Sequence, residues 1–280
     1  MLKRLIQKSI IKVKWELVAA KRHLFPGIPT DSWLAKAKNL HKGERCFIIA
    51  TGPSLNDLDL SHLKGEVCFG VNGTYKLDDV DLTYFVYVSN WWHKQHIEGM
   101  KNVRCKRRFI QNSLKSELES NVPTSWYQKI NPRYNSRYNT PLPVPAGFSH
   151  RPDCFINAGG SVVFVCLQLA YYLGFQEINI IGLDHSYSKE HDGKLKKHGG
   201  AALKIQNSEQ THFAKDYSPP GTEAPIDLMA MERGYRLAKT AFEKDGRIIR
   251  NASARTQLDV FPKVDYSTLF PKVVESESHL

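Results

Sequence analysis

Residues Arg45–Asn72 read RCFIIATGPSLNDLDLSHLKGEVCFGVN, and the fold turns on how this stretch is read. Cys46-Phe47-Ile48-Ile49-Ala50 is a short, β-branched apolar run of the kind that forms a strand buried on both faces of a parallel sheet. It stops at Thr51-Gly52-Pro53-Ser54, where glycine permits close backbone approach and proline suits a first helical turn. A second run, Val67–Val71, ends at Asn72-Gly73. Two strands that each end in small and polar residues predict a crevice at the carboxyl edge of a parallel sheet, where open α/β sheets hold ligands. Taken alone, Gly-Pro-Ser is ordinary turn punctuation, and the segment contains neither GxGxxG nor GxxxxGK[ST].

Working outward, the 280 residues are 41% hydrophobic and 24% charged, a balance that fits a soluble globular chain. No apolar run reaches 18 residues, which disfavours a transmembrane helix. Cys46, Cys68, Cys105, Cys154 and Cys166 are odd in number and without CxxC spacing, so a reducing, cytoplasmic setting without a zinc site is expected. The net charge of +11 is concentrated in residues 1–23, with seven Lys or Arg against one Glu. Leu2, Leu5, Ile6, Ile10, Val13 and Leu17 fall mostly on one stripe of that segment. Such a basic amphipathic helix packs either on its own domain or on an anionic membrane surface, here the cytoplasmic face of an inner membrane. Lys101–Arg108 adds basic charge, yet no nucleic-acid-binding signature accompanies it, and nucleic acid is not an expected partner.

Along the chain, a short helix is expected over Asp31–Leu40 and strands over Leu82–Val88 and Val103–Gln111; Trp91-Trp92 cannot both face one core in a strand, and plain packing is favoured over one ring facing a ligand or membrane. From Pro123 to Pro152 six prolines predict an irregular connector or flap. Gly159-Gly160-Ser161 opens the apolar helix VVFVCLQLAYYLG, whose bare backbone N–H groups form an anion seat. The strand Glu177–Ile181 ends at Gly182-Leu183-Asp184-His185-Ser186-Tyr187. About 188–222 is a polar lid, Ala224–Asp245 a helix, Arg247–Asn251 a last strand, and VFPKVDYSTLF folds back onto the domain. The division is a basic helix over 1–27, one α/β domain over 28–270 and a frayed tail over 271–280. The class is α/β, with a mainly parallel sheet and helices on both faces.

Three separated segments share a pattern. IIATGPSLNDLDLSHL with Asn72, LAYYLGFQEINIIGLDHSY, and the helix leading to Asn251-Ala252-Ser253 resemble the bacterial sialyltransferases of glycosyltransferase family 42. The same segments are similar to the 6-hydroxymethylpterin diphosphokinase-like (DUF115) family. The matches cover about residues 45–75, 157–187 and 224–262. The resemblance implies a Rossmann-like, GT-A-variant domain with a nucleotide-sugar donor, CMP-linked, at the sheet's carboxyl edge. It places Thr51, Gly52, Pro53 and Ser54 against the nucleotide, Asn72 and Ser161 in contact with it, and Gly182 and Asp184 at the base and sugar pocket. The chain departs from the pattern at Thr51, where the transferases carry asparagine. It departs again at Ser186, where the transferases carry a phosphate-binding tyrosine and this chain has Tyr187 one step along, and at Asp216, which stands where the transferases carry their histidine base, with His212 a turn earlier.

An inverting transfer needs a general base and stabilisation of the leaving phosphate. His185, His198, His212, Asp216 and Tyr217 lie in or beside the lid, and His212 with Asp216 at i+4 would pair if that segment were helical. Tyr187, Tyr217, Lys204 and Lys215 are the candidates for neutralising phosphate. A carboxylate buried at Asp184 needs a partner, whether ligand or loop backbone. His191-Asp192 lacks defined metal-ligand spacing, so no metal is assigned, although Mg²⁺ accompanies the alternative activity. Three functions follow: transfer of a sugar to a cell-surface glycan or lipid-linked acceptor, as in lipopolysaccharide assembly; a Mg-ATP-dependent diphosphotransfer of the pterin type; or nucleotide binding without catalysis. Acceptor, linkage and oligomeric state are not encoded legibly.

Overall fold

The computed structural model describes residues 31–88, 93–130, 147–186, 201–205, 212–217 and 222–271. The expected basic helix 1–27, Trp91-Trp92, Tyr187, His191-Asp192, His198 and the terminal tail from 272 lie outside the described residues.

The strand read from Arg45 is real and central. In chain order the strands are β1 (Arg45–Ile49), β2 (Cys68–Val71), β3 (Leu82–Tyr87), β4 (Cys105–Gln111), β5 (Thr124–Tyr127), β6 (Lys129–Ile130), β7 (Ile156–Asn157), β8 (Glu177–Ile181), β9 (Ala201–Ile205), β10 (Thr222–Ile226) and β11 (Ile248–Asn251). Seven of them form one sheet in the order β11-β8-β1-β2-β3-β4-β5, and every pairing in it is parallel. Ile49 of β1 sits beside Gly70 of β2 and Ile181 of β8. From β1 the chain winds outward through β2 to β5, then returns to place β8 on the other flank of β1. The gap between β1 and β8 is therefore the topological switch point, which opens a crevice at the carboxyl edge.

The continuous apolar runs are explained by burial on both sides. Cys46, Ile48 and Ala50 face one core together with Phe69, Val86, Phe109, Ile180 and Ile249. Phe47 and Ile49 face the other with Phe85, Ile110 and Ile181. The helices are α1 (Ser32–Lys36), α2 (His93–Lys101), α3 (Lys115–Leu118), α4 (Val162–Leu173) and α5 (Leu228–Lys244). Residues of α1, α4 and α5 cover the first core; Met100 of α2 and Leu118 of α3 cover the second. In α4 every residue but Tyr171 is buried, in keeping with a helix apolar on all sides. It ends at Gly174, whose φ of +98° is the left-handed conformation glycine adopts without strain. Its orphan carbonyls are met across the fold: Asn39 and His41 donate backbone N–H to Tyr172 and Leu173.

Three expectations need correction. The proline-rich stretch after Pro123 is not wholly irregular, because Thr124–Tyr127 is the outermost strand of the main sheet. The helix expected from Ala224 begins at Leu228; Thr222–Ile226 is a strand paired antiparallel with β9, and Asp227 caps the helix by accepting from Ala230 N. Pro225 suits an edge strand of a two-stranded ribbon better than a helix interior. The segment 212–217 forms turns and not a helix, so His212 and Asp216 do not pair through helical spacing. The fold-back of the tail is as expected: Val260 and Phe261 enter the first core, and Asn251 bridges to Lys263.

Candidate functional site

The carboxyl ends of β1 and β8 are tied into one knot. Gly52 N donates to Gly182 O at 2.8 Å, and Ala50 N donates to Ile181 O at 2.9 Å. Asp184, only 5% exposed, accepts from Ser54 N at 2.8 Å on one oxygen and from the Ser54 hydroxyl on the other. Its carboxylate thus binds the first turn after β1, which satisfies the buried Ser54 N–H and hydroxyl there and fixes the Gly-Pro-Ser loop. The approach depends on Gly52 lacking a side chain, since a Cβ there would lie 2.5 Å from Gly182 O and 2.7 Å from the Asp184 carboxylate. On the far flank Asn251-Ala252-Ser253 is a second clasp: Ser253 Oγ accepts from Leu183 N at 2.7 Å, and Asn251 Nδ2 donates to Thr256 Oγ1 at 2.9 Å.

At the end of β2 lies a second group. Asn72 adopts a left-handed φ of +50°, and its side-chain oxygen is buried without a hydrogen-bond partner among the described residues. The described part of the expected lid lies across this edge. Phe213 N donates to Thr51 O at 2.9 Å, and Asn56 Nδ2 donates to Phe213 O at 3.1 Å. Tyr217 is buried against Gly73, where a Cβ would stand 2.4 Å from its ring. The His212 imidazole stacks on Tyr217 with centroids 3.6 Å apart and planes 10° apart. Asp216, 79% exposed, is an ion-pair partner of Lys76 and not of His212.

A third group lies around the start of α4. Ser161 caps the helix by accepting from Val163 N and bonds through its hydroxyl to Tyr235 OH at 2.8 Å. Gly159 and Gly160 both have positive φ, and Gly160 is exposed, close to Ala230 and Met231 of α5. His185, at a φ of +53°, points its largely buried ring at Glu232 of α5, with Nε2 to Oε1 of 3.5 Å. Ser186 follows, half-buried.

The fold therefore brings Thr51, Gly52, Pro53, Ser54, Gly182 and Asp184 together, and sets Asn72, His212, Asp216 and Tyr217 beside them. His185 belongs with α5. Lys204 lies in β9, and Lys215 is exposed in the turn segment. Three residues were not singled out from sequence. Tyr75 and Lys76 lie in the turn after β2, and His96 lies in α2. His96 is 3% exposed, and its Nδ1 lies 2.6 Å from Tyr75 OH. Nothing in spacing or composition marks them, because their meeting depends on α2 folding back over the turn after β2.

Burial dominates the electrostatics. It pushes His212 down to about 3, with His96 adding to the effect. It pushes His96 down to about 4, helped by Lys76 and opposed by Asp216. Burial lowers His185 against the opposing pull of Glu232, and the Lys76 hydrogen bond lowers Asp216. Both rings beside Tyr217 are therefore neutral near physiological pH. Among the described residues no group of three His, Cys, Asp or Glu side chains is placed to hold a metal ion, and no helix is long and apolar enough to cross a membrane.

No family model matches the chain, and no curated protein matches it. Among solved structures it is similar to the sialyltransferase CstII from Campylobacter jejuni in complex with a substrate analogue, cytidine-5'-monophosphate. That likeness has a TM-score of 0.40 and 13% identity, covering 80% of this chain and 85% of the other. A second structure of CstII, in complex with CMP-3FNeuAc, gives 0.39 and 13%, covering 79% and 85%. At this distance the likeness assigns no chemistry, and the site rests on its own geometry.

Proposed function

We propose that the protein is a glycosyltransferase that holds a nucleotide-sugar donor in the crevice above β2, β1 and β8 and passes the sugar to a hydroxyl of a glycan or lipid-linked acceptor. A CMP-linked nonulosonate is the preferred donor. The observation that carries the reading is Asn72: a residue at left-handed φ whose buried amide oxygen has no partner among the described residues, at the end of a strand beside the switch point. Such a group costs stability unless something donates to it, and strain of this kind collects at ligand sites.

The remaining roles follow from position. The Thr51–Ser54 loop, held by Asp184, lines the nucleotide side, and the Gly159-Gly160-Ser161 start of α4 offers backbone N–H groups to phosphate. His212 takes the proton from the acceptor hydroxyl. The oxygen then attacks the anomeric carbon, the bond to phosphate breaks, and the nucleotide leaves as a monophosphate. A base held at about 3 is weak by itself. The negative phosphate of a bound donor beside the ring raises it towards the useful range. Tyr217 and Lys215, on the same segment as His212, are the candidates to meet the leaving phosphate. The basic residues 1–23 hold the enzyme at the cytoplasmic face of the inner membrane, near lipid-linked acceptors.

The test is a thermal-shift screen of the full chain against CMP, CDP, UDP, GDP and ATP, with and without Mg²⁺. A ligand that binds only the folded state raises the midpoint. Metal-independent stabilisation by CMP is the expected result. A response to ATP with Mg²⁺ alone replaces the reading with a diphosphotransferase, and no response to any of them removes the nucleotide site.

A further inference from the structure

We propose that His96 is a positioning residue of this crevice: with Tyr75 it fixes the Tyr217 ring on which His212 stacks, and so sets the direction in which His212 faces the acceptor. The inference rests on the reading of His212 as proton acceptor, but its geometry stands independently. Tyr217 is confined on three sides by described groups. Gly73 backs the ring at a distance no Cβ would tolerate, His212 lies flat on it at 3.6 Å, and the His96 ring stands 5.3 Å away at 50°. His96 in turn is held by the 2.6 Å bond between its Nδ1 and Tyr75 OH, and Tyr75 is packed on Gly99 one turn along α2.

The three elements involved differ in what anchors them. The turn after β2 has Gly73 and Thr74 buried and Tyr75 packed on the second core, and α2 is fixed to the same core through Met100. The 212–217 segment is held by the Thr51 and Asn56 bonds to Phe213, by the packing of Phe213 on the second core, by Lys76 on Asp216 at its exposed end, and by the Tyr217 ring that His212 stacks on. An exposed ion pair contributes little orientation. A buried aromatic ring between two imidazoles and a glycine contributes much more, because its position is set by close packing. Small errors in the placement of a base are expensive in rate, so a residue that fixes its direction acts on catalysis without touching substrate.

The experiment is carbon-edited NMR of the full chain carrying ring-labelled histidine, with the His212 signal assigned by its loss in His212→Gln. Stacking on Tyr217 displaces the His212 ring proton by ring current, and that displacement reads the orientation directly. His96→Ala is expected to remove at least half of it, and Tyr75→Phe, which deletes only the oxygen bonded to His96, a smaller part. In a transferase assay His96→Ala lowers kcat on the order of tenfold with KM nearly unchanged. If both variants stay folded and the His212 displacement is unaltered, the proposal is overturned. If His96→Ala does not fold, Tyr75→Phe decides alone, with an unaltered displacement counting against it. Full activity in His212→Gln would remove the base assignment while leaving the NMR result for His96 intact.

Discussion

Gly52, Asp184 and Asn72 show how single residues make the crevice. A Cβ at Gly52 would meet a backbone oxygen and a carboxylate that are themselves tied down, so neither can retreat cheaply. Gly52→Ala is expected to cost about 1–3 kcal/mol, as overpacking does, and to lower the urea midpoint. Asp184→Ala strands the buried Ser54 N–H and hydroxyl, for about 1–3 kcal/mol; Asp184→Asn, which keeps one acceptor, costs less in the same titration. Asn72→Gly tests function apart from stability. It relieves a left-handed residue and deletes the amide oxygen, so the unfolding free energy from urea titration stays within about 1 kcal/mol of the parent, while stabilisation by CMP is lost. That Asp184 needs a partner was readable from sequence, since a buried carboxylate is costly alone. That the partner is Ser54, 130 residues earlier, follows only from β8 lying beside β1.

At the level of elements, the apolar α4 and its glycine stop were legible because both signals are local. Gly174→Ala places a side chain at positive φ and 2.8 Å from Asn39 Cα, and is expected to destabilise by at least about 1 kcal/mol in chemical denaturation. The β5 strand was not legible, because TSWY lies among prolines and its burial alternates only once the edge of β4 is available. Arg108 makes the same point. It is fully buried in β4 and donates to Thr124 Oγ1, to Met100 O near the end of α2, and to Leu118 O at the end of α3. A buried cation that closes two helix ends is a structural device hidden inside a run read from sequence as basic surface. Arg108→Met strands these acceptors at about 1–3 kcal/mol each, which a fall in thermal midpoint will register.

For the molecule as a whole, the buried histidines couple stability to pH. His96 and His212 have folded values of about 4 and 3, below their ordinary 6.5, so each binds a proton more readily in the unfolded chain. Stability is then complete above about pH 6.5 and is lost as pH falls towards 4, with His185 acting in the same direction. The thermal midpoint is expected to be lower at pH 5.5 than at pH 7.5, and His96→Phe to shrink the difference. Equal midpoints at the two values would mean that the rings are not buried neutral.

The sequence by itself determined the class of fold: strands buried on both faces read as unbroken apolar runs, and glycine, proline and capping residues punctuate them within a few positions. It also determined that polar residues gather at strand ends. Only the tertiary structure decided which of those ends become neighbours. It is the return of the chain to the other flank of β1 that sets Asp184 on Ser54, and the folding of α2 over the turn after β2 that gives Tyr217 its place between His212 and His96. Such contacts join residues far apart in the chain, and no local pattern carries their geometry.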